Sequence, residues 1–178
     1  MIKLYRQSQG KFEYWEAWNH RRVLTVHWGE VGTRGEVREV TLKPSQRAQP
    51  TIAELTKAMQ ATGFAEIDID QHDVLIVQYK IGEVPTEADV ERRHAIEALL
   101  NEEIGWLGAG MVDGGDIGQG EMNVFAFVVD GPRIADCVVG ILREHEHLDG
   151  AVIAVRRAGE EDEAVVWPKG FTGEFRVL

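Results

Sequence analysis

The sequence predicts an α+β protein of two small modules: an antiparallel meander completed by one helix, then two helices set against a second antiparallel sheet. Three observations carry this. Short stretches with period-2 alternation dominate the opening residues, apolar positions recur at helical spacing in three later segments, and glycine, proline and Asp-Gly turn signals separate them. The 178 residues are 44% hydrophobic and 28% charged, near the globular average, so the chain can build a core and is not predicted disordered. Five Trp and six Phe supply large side chains that help two modest cores reach adequate stability.

Residues 2–7, 11–18 and 22–28 read as three strands, the last two joined through the polar corner Asn19-His20-Arg21. In the third, Val23, Thr25 and His27 alternate with Leu24, Val26 and Trp28, giving two faces, one plainly apolar. Gly29, Gly32 and Gly35 then punctuate the run Trp28-Gly-Glu-Val-Gly-Thr-Arg-Gly, where glycine permits the positive φ of a tight reversal. A fourth strand follows at 36–42, and Pro44 and Pro50 bracket a polar loop. Thr51 is expected to cap a helix with Glu54 at the capping-box spacing. Ile52, Leu55, Ala58 and Met59 form the apolar stripe of this helix, and Gly63 ends it.

This order of aromatic-rich strands, a Trp-Gly-x-aliphatic-Gly-Thr-basic-Gly run, a strand, and a helix closing on Gly63-Phe64 resembles the WGR domain over roughly residues 2–68. That family is named for a Trp-Gly-Arg run. In DNA-dependent poly(ADP-ribose) polymerases the domain helps bind broken DNA, so the resemblance implies a nucleic-acid contact at Trp28 and at the third motif residue. Here that residue is Glu30. A carboxylate repels phosphate and lacks the donor fork of Arg, which weighs against DNA as the ligand.

Residues 65–71 read as a short acidic connector or an edge strand, and the boundary is placed near Gln71, giving modules 1–70 and 71–178. Residues 72–81 are a strongly apolar strand. Thr86 opens a helix over 87–103, and Asp89, shorter than the Glu or Gln of a capping box, is expected to serve the helix dipole only. Val90, His94, Ile96, Leu99, Leu100 and Ile104 mark the inward side of this helix. The glycine-rich stretch 105–120 holds an irregular strand at 111–118, and a regular strand follows at 122–130. Gly131-Pro132 starts a helix over 133–147 with Ile134, Val138, Ile141 and Leu142 inward, and Asp149-Gly150 turns into a strand at 151–157. A hairpin-like pair, 159–163 and 164–167, closes the module. This order is that of a ferredoxin-like α/β sandwich.

The net charge of −11 argues against general affinity for nucleic acid or anionic membrane, which needs clustered Lys and Arg. The acidity is uneven: residues 1–70 carry ten Lys/Arg and nine Asp/Glu, net +1, whereas residues 71–178 carry nine and twenty-one, net −12. The one cysteine, Cys137, excludes an internal disulfide and a cysteine-held metal centre. The opening residues lack the apolar run of a signal peptide, and no stretch of about 18 apolar residues occurs. A cytoplasmic location and no membrane partner are therefore expected.

Candidate sites are few. The glycine stretch lacks a Gly-x-Gly-x-x-Gly between strand and helix and the Lys-Ser/Thr of a P-loop, so bulges and close packing account for it better than phosphate binding. Asp113 and Asp116, with Glu121 near, are weak ligand candidates, although Asp-Gly is ordinary turn chemistry. His145 and His147 lie about 200° apart on a helix, so a helix C-terminus attracting cationic His explains them better than a metal. Cys137 has no nearby base and reads as a core residue, and Ser8 and Ser45 lie in no nucleophile elbow. No catalytic group, metal or cofactor is expected.

The aromatic residues Tyr14, Trp15, Trp18 and Trp28 with Arg21, Arg22, Arg34 and Arg38 have the strongest claim to a binding role, because rings interleaved with Arg can stack and clamp planar ligands. Strand alternation turns only some of these rings to one face, and core packing claims the others. Trp28, Arg34, Arg21, Arg22 and Trp18 are the expected contacts. The expected function is a non-enzymatic binding or interaction protein built on a WGR-like module, with a protein partner and nucleic acid as the other ligand class. The alternatives are an acidic protein-interaction or regulatory module in the second half, and a small-ligand sensor or enzyme with its site at the glycine stretch.

Overall fold

A computed structural model describes residues 1–177, and these form nine strands in two antiparallel sheets with three α-helices, a mixed α+β fold. The chain divides into two compact units. The first comprises residues 1–68 together with 106–108, and the second comprises residues 69–105 and those from 109 onward. No helix among the described residues is long and apolar enough to cross a membrane.

In the first unit β1 (Ile2–Ser8), β2 (Lys11–His20), β3 (Val23–Glu30) and β4 (Glu36–Thr41) pair in sequence order, and α1 spans Ala48–Gln60. The register sets Leu4 opposite Trp15, Trp15 opposite Trp28 and Ala17 opposite Val26. Alternation therefore gathers these side chains on one face, where Leu24, Leu42, Ile52 and Phe64 complete a core. All six residues of β4 are exposed, which leaves it a bare edge strand carrying Glu36, Arg38 and Glu39.

The helix begins three residues before the expected cap. Arg47 is at the N-cap without a side-chain bond, and the Thr51 hydroxyl donates back to the Arg47 carbonyl at 2.9 Å, so Thr51 lies inside the helix. Pro50 falls in the first turn, where its missing N–H leaves no bond unmade. The inward stripe is also narrower than predicted. Ile52 is buried and Ala48, Thr56 at its hydroxyl-bearing turn, and Met59 are half-buried, but Leu55 and Ala58 face water.

The second unit opens with a single 3-10 turn, Ile69–Gln71, and then runs β5 (Asp73–Lys80), α2 (Glu87–Trp106), β6 (Gly110–Gly118), β7 (Glu121–Val128), α3 (Gly131–Glu144), β8 (Ala151–Arg156) and β9 (Glu163–Trp167). The sheet order is β6-β7-β5-β8-β9. β5 lies at its centre, which explains its apolar run. Arg92 of α2 stacks 4.2 Å over the Tyr79 ring, whose hydroxyl donates to the His147 carbonyl at 2.8 Å, so Leu75, Val77 and Tyr79 face the helices. Ile96, Leu100 and Ile104 from α2 and Ile134, Val138 and Leu142 from α3 are fully buried, whereas His94 is exposed. The irregular strand forms as β6, with a bulge between Val112 and Gly114. The expected strand at 159–163 does not form as such; β9 alone pairs with β8.

Asp89 does more than face a dipole. Its Oδ2 accepts the Thr86 N–H at 2.9 Å and the Thr86 hydroxyl at 2.6 Å, while the Asp89 N–H reaches the Thr86 hydroxyl at 3.3 Å. The shorter acid closes a reciprocal cap, and the Thr86 bonds hold its carboxyl below the usual carboxylate range.

The start of α3 is capped from afar. Asp130 has a left-handed backbone, φ 53°, and makes no cap bond. Asp73 of β5 serves instead: its Oδ2 accepts the Gly131 N–H at 2.8 Å and Arg157 Nη1 at 3.0 Å, and its Oδ1 accepts the Ala158 N–H at 2.9 Å. A Cβ on Gly131 would come within 2.6 Å of the Val155 side chain, so only glycine lets the helix start here. One buried carboxylate thus ties β5, α3 and the turn after β8. Asp73→Ala leaves the buried Gly131 N–H without an acceptor and frees Arg157 and the exposed Ala158 N–H, and is expected to lower stability by about 3 kcal/mol in urea denaturation; a loss under about 1 kcal/mol would contradict this role.

Candidate binding site

The face of the first sheet opposite its core is polar and aromatic. Alternation along β2 and β3 turns Tyr14, Glu16 and Trp18, together with Thr25 and His27, to this side, and the register sets Glu16 directly opposite His27. His27 is fully buried and Glu16 is 4% exposed. The imidazole Nδ1 lies 2.6 Å from Glu16 Oε1, and Lys3 Nζ lies 3.0 Å from Glu16 Oε2. At the far side of the ring, Nε2 is 2.8 Å from the Arg34 carbonyl and 2.7 Å from the Tyr14 hydroxyl.

Both ring nitrogens of His27 thus have oxygen partners within hydrogen-bonding distance, in a buried row Lys3–Glu16–His27. The Tyr14 hydroxyl, beside Nε2, also donates to the Thr33 carbonyl at 3.3 Å. Two successive carbonyls of the glycine-rich run are therefore held by side chains of the sheet.

This anchoring explains the glycine spacing. Gly29 lies opposite Tyr14, and a Cβ there would come within 2.7 Å of the Gly35 Cα. Gly35 has φ +57°, and its Cβ would fall 2.3 Å from both the Tyr14 hydroxyl and the Trp28 carbonyl. Residues 106–108 close the other side: the Trp106 ring meets His27 edge-on at 5.1 Å, the Leu107 carbonyl accepts the Gly32 N–H at 3.0 Å, and Gly108 lies flat against the Tyr14 ring. Val31 is fully buried between these layers, while Thr33 and Arg34 are exposed at the tip.

The five expected contact residues do not share one surface. Trp18 lies on the polar face with its ring 6.4 Å from His27, whereas Trp28 lies on the core face, half-buried against the core cluster. Arg21, with φ 53°, and Arg22 form the turn between β2 and β3, and Arg22 is committed to the Leu42 carbonyl through Nε at 3.1 Å and through Nη2. Arg34 is at the opposite end of β3, about 23 Å away along an eight-residue strand. Trp28 and Arg34 therefore both lie toward the glycine end, Trp28 on the core face, and Arg21 and Arg22 lie at the other end of β3. Glu30 is no bare acid: Lys11 lies 3.8 Å from it, and its carbonyl accepts from the Thr33 N–H and hydroxyl.

In the second unit Asp113 is exposed at the β6 bulge, and Asp116 accepts from Asn123 Nδ2 at 2.8 Å. Among the described residues no three His, Cys, Asp or Glu side chains converge as a metal site requires. Cys137 is half-buried and burial pushes its thiol above the usual range, which disfavours the thiolate. The Glu16–His27–Tyr14 row was not singled out by sequence. Its one available signal was the recurrence of hydrogen-bonding side chains at alternate strand positions where a second apolar face would otherwise stand.

No family model, curated protein or solved structure matches the chain.

Burial pushes all three tyrosines, Tyr5, Tyr14 and Tyr79, above the ordinary phenol range, and the Glu16 carboxylate adds to this for Tyr5 and Tyr14; Tyr79 is pushed from 10.0 up to about 12, with Arg92 opposing. A raised folded-state value means that the fold favours the neutral phenol. The stabilisation is complete below pH 10, the unfolded value, and is lost as pH rises from there toward 12 and beyond. Ultraviolet titration is expected to show no tyrosine ionising before circular dichroism reports unfolding. A tyrosine that ionises near pH 10 in the folded protein would contradict the packing described.

Proposed function

We propose that the protein is a non-enzymatic binding module whose contact surface is the tip of the glycine-rich run, with Thr33 and Arg34 at its centre and the half-buried Trp28 where β3 enters the run. The observation that carries this reading is the anchoring of the Thr33 and Arg34 carbonyls by Tyr14 and His27. Backbone bonds hold the tip rigidly while both residues remain exposed, and a preorganised loop loses little entropy on binding. The meander order, the glycine run and the helix that follows support a WGR-like first unit. The strand order β6-β7-β5-β8, with α2 and α3 between the strands, supports a ferredoxin-like second unit.

Nucleic acid is the ligand class that the WGR likeness suggests. The pairing of Glu30 with Lys11 reduces the repulsion its carboxylate would exert on phosphate. A second reading, in which the acidic half engages a basic protein, is favoured by the exposed run Glu160-Glu161-Asp162 ahead of β9. The discriminating experiment is binding to nicked and single-stranded DNA across a salt series. The first reading expects low-salt binding that weakens as salt rises and falls about tenfold in Arg34→Ala, with a further loss in Trp28→Ala. No binding at low salt, or binding unchanged in both variants, would overturn it in favour of the acidic half.

A further inference from the structure

We propose that the face of the second sheet turned away from α2 and α3 binds an extended, basic, phenylalanine-bearing segment of a partner protein, and that residues 168–177 hold this face closed in cis. Because Leu75, Val77 and Tyr79 point to the helices, Gln78 and Lys80 point away. The register sets Asn123 opposite Gln78, Asp116 opposite Asn123, and Glu121 opposite Lys80. These five side chains form one network. The Gln78 amide donates to Asn123 Oδ1 at 2.9 Å and to Glu121 Oε2 at 3.2 Å, Asn123 Nδ2 donates to Asp116 Oδ1 at 2.8 Å, and Lys80 pairs with Glu121. Gln78, Asn123 and Glu121 are 1%, 2% and 9% exposed, so the centre of the network lies under cover while Lys80 and Asp116 stand exposed at its edges.

Part of that cover is the strap 168–177, which lays the Arg176 carbonyl 2.7 Å from Gln78 Nε2. An amide nitrogen carries two hydrogens. With the strap in place three acceptors share them; with the strap lifted, Asn123 and Glu121 take one each. Opening therefore leaves no hydrogen of Gln78 unpaired and returns the Arg176 carbonyl to water. The strap forms no helix or strand, Phe171 and Phe175 are only half-buried, and its own backbone closes one turn, Phe171 N–H to the Pro168 carbonyl at 3.2 Å. Such segments open at the low end of a protein's stability range. Lys169 and Arg176 against Glu174 also give it a positive balance in a half whose net charge is −12. The strap thus shows one thing the face accepts, a main-chain carbonyl for Gln78, and it brings two phenylalanines and a net positive charge alongside. A partner segment with those features competes with it on equal chemical terms.

This inference does not depend on the glycine tip of the first unit. The test uses a fluorescent synthetic peptide of residues 168–177, titrated against the full chain and against its Phe171→Ala/Phe175→Ala variant, with hydrogen exchange on both. The expected result is that the variant keeps the protection of β5 and β7, loses that of the strap, and binds the peptide about tenfold tighter because the closed fraction no longer competes. Its affinity should also fall as salt rises. If the double variant loses β5 and β7 protection, Phe171→Ala alone carries the same comparison. Equal affinity in wild type and variant, or no binding to either, would overturn the proposal. A dimer of the full chain formed by exchange of straps would put a second copy in place of the partner and would overturn it too.

Discussion

The first unit depends on a buried imidazole that has no water to turn to. His27 sits at zero exposure with a carboxylate on one nitrogen and a main-chain carbonyl on the other. Such a group is tolerated only when its polar atoms are met, since an unpartnered buried polar group costs on the order of a few kcal/mol. Glu16 meets one nitrogen and is itself paired with Lys3; the Arg34 carbonyl and the Tyr14 hydroxyl meet the other. The row runs across three strands, from β1 to β3, and ends on the glycine-rich run. The sheet and the loop are thus satisfied together.

The constraint passes outward through glycine. With the loop drawn onto Tyr14, no room is left for a side chain at 29, 35 or 108. The same closure pushes Thr33 and Arg34 to the surface. A charged network of this kind contributes less to net stability than an apolar core of equal volume would. Its worth lies in fixing one loop geometry, the property that a recognition surface needs. The second unit uses a carboxylate in a related way, with Asp73 tying three elements by main-chain and side-chain donors.

Much of the fold was legible from periodicity. The strands of the meander, the central apolar β5 and both helices of the second unit follow from alternation and from i, i+4 spacing, because those signals are local. The glycines at 29 and 35 also announced a tight run, though not what it folds against. What escaped were the long-range partners. Asp73 finds Gly131 and Arg157 at separations of 58 and 84 residues, and Gln78 finds Arg176 at 98, distances over which spacing carries no information. The contact residues were misgrouped for a similar reason. Trp18 and Trp28 look alike in composition but fall on opposite faces, and Arg21 and Arg34 flank one strand at opposite ends. Thr51 failed as a cap because Pro50 is welcome in a first turn, so the helix could start earlier.

The hydrogen bonds of His27 are the most direct test. Imidazole nitrogen shifts and one-bond N–H couplings, measured by nuclear magnetic resonance, report each ring nitrogen separately. Held as described, both nitrogens are hydrogen-bonded, no ring proton exchanges quickly with water, and Tyr14→Phe loosens the glycine run while the Glu16 contact stays. A ring proton in fast exchange with water would mean that Glu16 or the Arg34 carbonyl is not held as described, and the anchoring of the exposed tip would have to be abandoned.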